Sequence, residues 1–166
     1  MADIVDTATR SRMMAGIQSK DTKPEILVRK ALHAKGLRYS LHSNHLPGKP
    51  DIVMPKWRAV IFVHGCFWHW HGCGLSKLPT ENALFWRQKL AANKLRDAKV
   101  RKELIGLGWR IATIWECATR NKAALEELPD LINNLDSWVR SRTKPLSFES
   151  DITQIARKIT LSDRGN

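Results

Sequence analysis

One short segment of the chain joins a buried-strand pattern to an unusual density of chemically active side chains. Residues 59–63 are apolar without interruption, which is typical of a strand buried on both faces of a sheet. The next ten residues contain three large aromatic residues together with His64, Cys66, His69, His71 and Cys73. The sequence therefore predicts a buried strand that leads directly into a functional loop.

Length and charge narrow the class of protein. The chain has 166 residues, enough for one domain with a real core, and its net charge is +12. That excess favours a polyanionic partner, most often nucleic acid; a merely soluble or ribosome-associated basic protein is the alternative. No apolar run approaches the ~20 residues that span a bilayer, and the N-terminus lacks a secretory pattern. We therefore expect a cytoplasmic protein that does not bind membranes.

The first half of the chain has helical patterns followed by strand patterns. Residues 7–20 have the composition of a basic arm or helix that lies on DNA, or of an ordinary surface helix. Thr22, Pro24 and Glu25 form the pattern of a capping box, which favours a cap over a catalytic role for Glu25. That helix ends at Gly36. The predicted strands are 37–42, 51–54 and 59–63, and the last two form a hairpin.

The second half begins with a long helix over about 81–106, for which Thr80 is the expected cap. The face of this helix opposite its apolar stripe is basic and is a candidate to contact DNA phosphates. A strand at 109–115 and helices at 121–128 and 130–140, divided by Pro129, follow. The apolar stripe of the long helix is predicted to face the protein core and consists of Leu84, Ala91, Leu95, Ala98 and Ile105.

A metal site is indicated by the cysteines. Cys66, His71 and Cys73 lie in the functional loop, and Cys117 follows the distant strand 109–115. Three thiolates and one imidazole suit a tetrahedral structural Zn²⁺. His69 is a competing ligand, and buried free cysteines with surface histidines are the alternative.

A catalytic site is indicated at the ends of the hairpin strands. Asp51 begins one strand and His64 ends the other, with His69 close by in the loop. One carboxylate and two histidines beside a basic surface suit phosphodiester hydrolysis assisted by Mg²⁺. Alternatively, Asp51 caps a turn and the histidines support the zinc loop.

Several motifs together resemble one known family. Pro50-Asp51 before a hairpin and a buried strand is similar to the restriction-endonuclease-like fold. The more specific motifs, over about residues 1–140, resemble those of the very short patch repair (Vsr) DNA mismatch endonucleases of bacteria. These motifs are Phe62-Val63-His64-Gly65-Cys66-Phe67-Trp68-His69-x-His71-x-Cys73, Leu46-Pro47-Gly48-x-Pro50-Asp51, Phe85-Trp86, Lys89-x3-Asn93, Arg96-Asp97 and Gly108-Trp109-Arg110-x4-Trp115-Glu116-Cys117.

The resemblance implies a fold and a division of the chain. The fold class is α/β, a restriction-endonuclease-like three-layer sandwich with a mixed central sheet and a structural zinc site. Residues 1–142 are expected to form a single endonuclease domain, in which 1–20 are an N-terminal arm or helix that contacts DNA. Residues 143–166 are expected to be a poorly ordered tail, since their pattern fades.

The resemblance also implies an activity: a strand-specific, Mg²⁺-dependent nick on the 5′ side of the thymine in T:G mismatches, which arise by deamination of 5-methylcytosine. Asp51 would ligate Mg²⁺, and Val63, where many nucleases of this fold carry an acid, would contribute its backbone carbonyl. His69 would be the general base with His64 assisting, although the residues alone leave open which histidine is the base. Glu25 would lie near the metal. Cys66, His71, Cys73 and Cys117 would hold zinc.

Mismatch recognition is implied as well. Phe67, Trp68 and Trp86 would insert beside the mismatch from the major groove, while Met14 approaches from the minor groove. Wedging costs roughly a few kcal/mol per unstacked step and costs less at an already weakened wobble pair. The alternative for Phe67 and Trp86 is an ordinary core position.

Lys89 and Asn93, one turn apart on the basic helix, would reach base edges of the T:G pair. The expected partner is double-stranded DNA with a T:G mismatch, bound by a monomer in the bacterial nucleoid, and mismatch-repair proteins are further candidate partners. The competing functions are a restriction-type nuclease that cuts matched duplex and a non-catalytic, zinc-stabilised DNA-binding module.

Overall fold

A computed structural model describes residues 6–16, 20–141 and 147–150. Within these ranges no helix has the length and apolar character needed to cross a membrane. The helices are α1 (Thr7–Ala15), α2 (Lys23–Ala34), α3 (Ala83–Gly106), α4 (Cys117–Arg120) and α5 (Lys122–Arg140). The strands are β1 (Ser40–Leu41), β2 (Ile52–Met54), β3 (Ala59–His64), β4 (Arg110–Trp115) and β5 (Ser147–Ser150), and short 3₁₀ turns lie at Pro55–Trp57 and Gly74–Ser76.

The described strands form one mixed sheet in the order β1-β2-β3-β4-β5. The first three strands are antiparallel neighbours, and the β2–β3 hairpin is as predicted. β3, β4 and β5 run parallel, with His64 opposite Trp115 at the end of the β3–β4 ladder. The ends of β3 and β4 and the start of β2 therefore meet at one edge, which is where the functional loop begins.

Alternate residues of β3 pack against different helices, as the two-residue period of a strand requires. Ala59 and Ile61 join a buried cluster with residues of α2 and α5, whereas Val60 and Phe62 join a cluster with Leu104 of α3. Helices thus cover both faces of the sheet. His64 continues the series that faces α3.

The start of α2 is only partly the predicted capping box. Thr22 accepts a hydrogen bond from the Glu25 backbone N–H, as expected of an N-cap. The Glu25 carboxylate, however, is buried and bonds Arg29. Glu25 thus lies in the first turn of α2 and also contacts Arg29 inside the protein.

The predicted strand 37–42 is much shorter than expected. Ser40 and Leu41 pair with β2, but His42 has a φ of 48°, which breaks the extended backbone. Leu37 instead packs in the cluster beneath α2.

The predicted apolar stripe of α3 is wrong. Leu84 and Leu95 are 70% and 74% exposed, and the buried leucines of this helix are Leu90 and Leu104. The inward face also carries the polar Asp97, so hydrophobic periodicity placed the stripe on the wrong side. The helix begins at Ala83, after Asn82 in a left-handed conformation (φ 55°), and not at Thr80.

The helices predicted at 121–128 and 130–140 are one helix, α5, which continues through Pro129. Proline removes one backbone hydrogen bond. Capping of the Ala124 N–H by Asn121 and burial of Ile132, Leu135 and Trp138 stabilise the helix despite that loss. Leu125, in the first turn of the same helix, is 46% exposed.

Part of the expected tail belongs to the sheet. β5 pairs with β4 from Ile111–Ser147 to Ile114–Ser150, and Phe148 packs 5.9 Å from Trp138, centroid to centroid. The expectation of a poorly ordered tail is thus wrong for these four residues, because the free edge of β4 offers them backbone partners. Residues 142–146 and 151–166 lie outside the described residues, and the domain limits stay a prediction.

Candidate active site and metal centre

Asp51 lies against the end of β3 because β2 and β3 are antiparallel. Its Oδ2 accepts a hydrogen bond of 2.8 Å from the Val63 backbone N–H. Burial raises the pKa of Asp51, while the Val63 amide and the charges of His42 and Arg29 act in the opposite direction. The Asp51 carboxylate therefore contacts the Val63 main chain at its N–H, and the role of the Val63 carbonyl as a metal ligand stays a prediction.

His64 and His69 form a stacked pair at this edge. Their ring centroids are 3.6 Å apart and their planes differ by 2°. The ring of Trp115, at the end of β4, meets both edge-on. Burial, and secondarily the charge of His69, lowers the pKa of His64 to about 3. His64 is therefore neutral at physiological pH and is a weak base.

His69 has an acidic partner that the sequence did not identify. Its Nδ1 lies 2.6 Å from Oδ2 of Asp97 on α3. Because a carboxylate accepts, Nδ1 donates, which leaves Nε2 of the neutral ring to accept a proton. The sequence places Asp97 in the Arg96-Asp97 motif but gives it no role, because it lies 28 residues from His69 and no local spacing signals the pair. His64, His69 and Asp97 also have ligand atoms within 4.8 Å of one another, so they could hold a cation.

A second acidic cluster lies on the other side of Asp51. Arg29 Nη1 lies 2.6 Å from Oδ1 of Asp21, and its Nη2 contacts Glu25 and lies 2.7 Å from Nε2 of His42. The His42 backbone N–H donates to the Asp51 carbonyl at 3.2 Å. The structure thus connects Glu25 to Asp51 through His42.

The predicted zinc ligands converge. Cys66, His71, Cys73 and Cys117 each offer one ligand atom, and these atoms lie within 4.8 Å of one another. The Cys117 backbone N–H donates to Cys66 Sγ at 3.3 Å. A hydrogen bond with the Cys117 thiol, then burial, raises the pKa of the Cys66 thiol. Three sulfurs and one imidazole nitrogen at this spacing fit tetrahedral zinc, whereas the competing ligand His69 is engaged by Asp97.

Trp115 connects the metal cluster to the histidine pair. Its ring stacks on His71 at 4.1 Å and 15°. Its indole N–H donates to Glu149 of β5 at 2.8 Å. Nearby, Glu116 accepts from the Cys66 backbone N–H at 3.4 Å. β5 therefore holds Trp115, which lies between the cysteine–histidine cluster and the His64–His69 pair.

An aromatic cluster stands beside the histidines. Phe67 meets Trp68 and Trp86 with centroids 5.2 and 5.3 Å away. All three are half-buried and lie outside the buried core clusters. Lys89 Nζ lies 5.4 Å from the Trp86 centroid, and Asn93 donates to the Trp68 carbonyl at 2.9 Å. The side chain of Met14, a predicted minor-groove contact, lies outside the described residues.

The histidine pair separates two cavities. One, of about 360 Å³, contains Asp51, Val63 and His42. The other, of about 400 Å³, lies beneath α3 and contains Asp97 and Arg101. The two cavities are neighbours, since Gly48, Phe62, His64 and His69 line both of them.

Comparison with known proteins agrees with the class suggested by the motifs. A family model described as DNA mismatch endonuclease Vsr matches residues 2–75. The DNA mismatch endonuclease Vsr of Escherichia coli (strain K12) is 42% identical over 141 residues, which cover 84% of this chain and 88% of that protein. The type II nicking enzyme V.XorIIP of Xanthomonas oryzae pv. oryzae is 44% identical over 76% of this chain and 93% of its own length. V.NmeAIP of Neisseria meningitidis serogroup A, another type II nicking enzyme, is 45% identical over 76% and 91%.

These similarities put the mixed α/β sheet and its edge cluster in the class of endonucleases, which are hydrolases. Within that class, the chain belongs to the Vsr family of DNA mismatch endonucleases.

Proposed function

We propose that the protein nicks DNA on the 5′ side of the thymine in T:G mismatches that arise from deamination of 5-methylcytosine. The observation that carries the proposal is the convergence of Asp51 and the His69–Asp97 pair at one sheet edge, beside the aromatic cluster. The names of the relatives, which refer to mismatch cleavage and to nicking, support it. The proposed fold is restriction-endonuclease-like, and the proposed setting is the bacterial nucleoid.

Asp51 and the Val63 carbonyl are the proposed ligands of a catalytic Mg²⁺. One carboxylate and one main-chain oxygen, completed by water and substrate phosphate, is a donor set that Mg²⁺ accepts. When bound, Mg²⁺ stabilises the negative charge that develops on the phosphate. Glu25 acts indirectly: it contacts Arg29, Arg29 contacts His42, and the His42 backbone N–H donates to the Asp51 carbonyl.

His69 is the proposed general base. Asp97 fixes the Nδ1–H tautomer, so Nε2 is oriented to take the proton from the attacking water. His64 is too weak a base for that role with a pKa near 3, and its stacked ring holds the plane of His69.

A structural Zn²⁺ held by Cys66, His71, Cys73 and Cys117 is the proposed scaffold of the loop. It would join the segment after β3 to the start of α4. The loop is then held rigidly enough to place His69, which lies between two of the ligands.

Phe67, Trp68 and Trp86 form the proposed wedge that opens the stack beside the mismatch, and Met14 is the proposed minor-groove contact. Lys89 and Asn93 are the proposed base readers. Reading by Asn93 would require it to release the Trp68 carbonyl, or to read bases with its remaining atoms. One asymmetric mismatch needs no two-fold symmetry, so we propose a monomer, with mismatch-repair proteins as further partners.

Nicking of matched oligonucleotide duplexes tests the proposal. A labelled thymine strand should be cut once, 5′ of the mispaired thymine, only with Mg²⁺ and only in the T:G duplex. Asp51→Asn, which keeps the shape of the side chain, should lower the rate by at least about 100-fold. Equal cutting of T:A duplex would indicate a restriction-type nuclease, and tight binding without a nick would indicate a DNA-binding module.

A further inference from the structure

The cavity beneath α3 is chemically distinct from the one that holds Asp51. Its floor is apolar, formed by Phe62, Val100 and Ile111. Its rim carries the cations Lys94, Arg96 and Arg101, and Asp97 is the only acid among the described residues that line it. Three cations against one carboxylate give the cavity an excess of positive charge, and that carboxylate is already hydrogen-bonded to His69 at 2.6 Å.

Arg101 is the most buried of these three cations. It is half-buried, and the hydrogen bond described for its guanidinium is a long one, 3.3 Å, to the hydroxyl of the buried Thr113. A guanidinium has five N–H donors in a planar fork that matches a phosphate. A partly buried cation with so few partners is stabilised when an anion fills the cavity.

The position of Arg101 on the helix supports the same conclusion. Lys94, Asp97 and Arg101 lie three and four residues apart, so they share one face of α3, which turns toward the histidine pair. A group held by Arg101 and Lys94 would therefore lie beside His64 and His69, the same two rings that line the cavity of Asp51. About 400 Å³ is enough room for a sugar-phosphate unit.

We propose that this cavity is a phosphate subsite of the active centre, in which Arg101, aided by Lys94, binds a phosphate of the cut strand. The inference rests on the proposed nicking function. The phosphate is either an intact linkage next to the scissile one or the 5′-phosphate that the nick releases. In the first case Arg101 anchors the strand on one side of the histidines while the scissile phosphate lies on the Asp51 side. In the second case the scissile phosphate itself passes to Arg101 once the nick has freed it as a 5′-phosphate.

Arg101→Gln tests the subsite, with Lys56→Gln as the matched control. Lys56 carries the same charge and lies in the β2–β3 turn, at the opposite end of β3 from His64. Arg101→Gln should lower kcat/KM for the T:G duplex at least about 10-fold, the low end of one lost charged contact. Lys56→Gln should change it less than about twofold, and Arg101→Lys should recover part of the loss. Both glutamine variants should keep the wild-type Tm and zinc content.

Two substrate series distinguish the sources of the phosphate. Duplexes with one neutral methylphosphonate linkage at successive positions identify an intact linkage: one position should slow the wild type about 10-fold and have no further effect in Arg101→Gln. Nicked duplexes with 5′-phosphate or 5′-hydroxyl ends identify the product: the phosphate should tighten wild-type binding about 10-fold but not that of Arg101→Gln.

Equal kcat/KM for Arg101→Gln and Lys56→Gln, with no linkage or end that depends on Arg101, would overturn the subsite. Absence of nicking by the wild-type protein would overturn the proposed function instead. The nicked-duplex binding series needs no turnover, so it tests the subsite even in that case.

Discussion

Asp97 acts on the candidate active site through one contact, its hydrogen bond with His69. It holds Nδ1 of His69 at 2.6 Å, and a carboxylate there both fixes the tautomer and stabilises the protonated ring after it has taken a proton. An amide at the same place can present its N–H₂ to Nδ1 and so favour the wrong tautomer. The chemistry proposed for His69 therefore depends on a residue of another element.

Asp97→Asn is expected to lower kcat for nicking by about 100- to 10,000-fold, the contribution of a well-placed general base. Single-turnover kinetics on a T:G duplex measure the effect. Glu103→Gln, on the same helix in a 3.9 Å surface pair with Lys99, is the control and should leave kcat within about twofold. An Asp97→Asn enzyme as fast as the control would show that His69 is not the base.

At the scale of elements, α3 shows that functional polar residues on the inward face of a helix can hide its packing side from a search for apolar residues. Its inward side carries Asp97 and Arg101 between Leu90 and Leu104, whereas Leu84 and Leu95 are exposed. A search for an apolar stripe therefore selects the wrong side. The stability cost of truncating each leucine tests which side of α3 packs against the protein core.

Leu90→Ala should lower the free energy of unfolding by about 2–5 kcal/mol, because it leaves a cavity at a fully buried position. Leu95→Ala, the same change on the same helix at a 74% exposed position, should cost no more than about 0.5 kcal/mol. Denaturant titration of the two variants measures both. The reverse ranking would mean that the predicted stripe faces the core after all.

The parts of the fold that could be predicted are those with a strong local pattern. β3 is apolar from Ala59 to Val63, β4 is apolar apart from Arg110 and Thr113, and Thr22 caps α2 as its sequence indicates. The convergence of Cys117 with the loop cysteines was also predictable, since thiolates have few other uses in such a set. In each case the information is contained in the residue types themselves.

The parts that could not be predicted depend on partners distant in the chain. Phe148 is the single large apolar residue of β5, so nothing local marks a strand there; the free edge of β4 determines it. Pro129 predicts a break that the packing of Leu135 and Trp138 overrides. These elements are determined by tertiary contacts and not by propensity.

At the scale of the whole molecule, zinc would connect regions about fifty residues apart in sequence. Removal of the metal with a chelator at neutral pH should loosen the loop that carries His69, so nicking and zinc content should fall together. Metal analysis measures the zinc content, thiol titration measures the accessibility of the cysteines, and the nicking assay measures the activity. Chelated protein that contains no zinc, yet stays folded and fully active, would contradict the structural role.

The position of β5 in the chain has a consequence for synthesis. All six residues of β4 are buried, and β5 is the last described element to leave the ribosome. Until residues 147–150 emerge, the β4 edge presents a row of unpaired N–H and C=O groups, which is a template for association with other chains. A premature stop after Ser141 should therefore yield insoluble protein even though every proposed catalytic and zinc residue is present, and the soluble fraction on expression measures it.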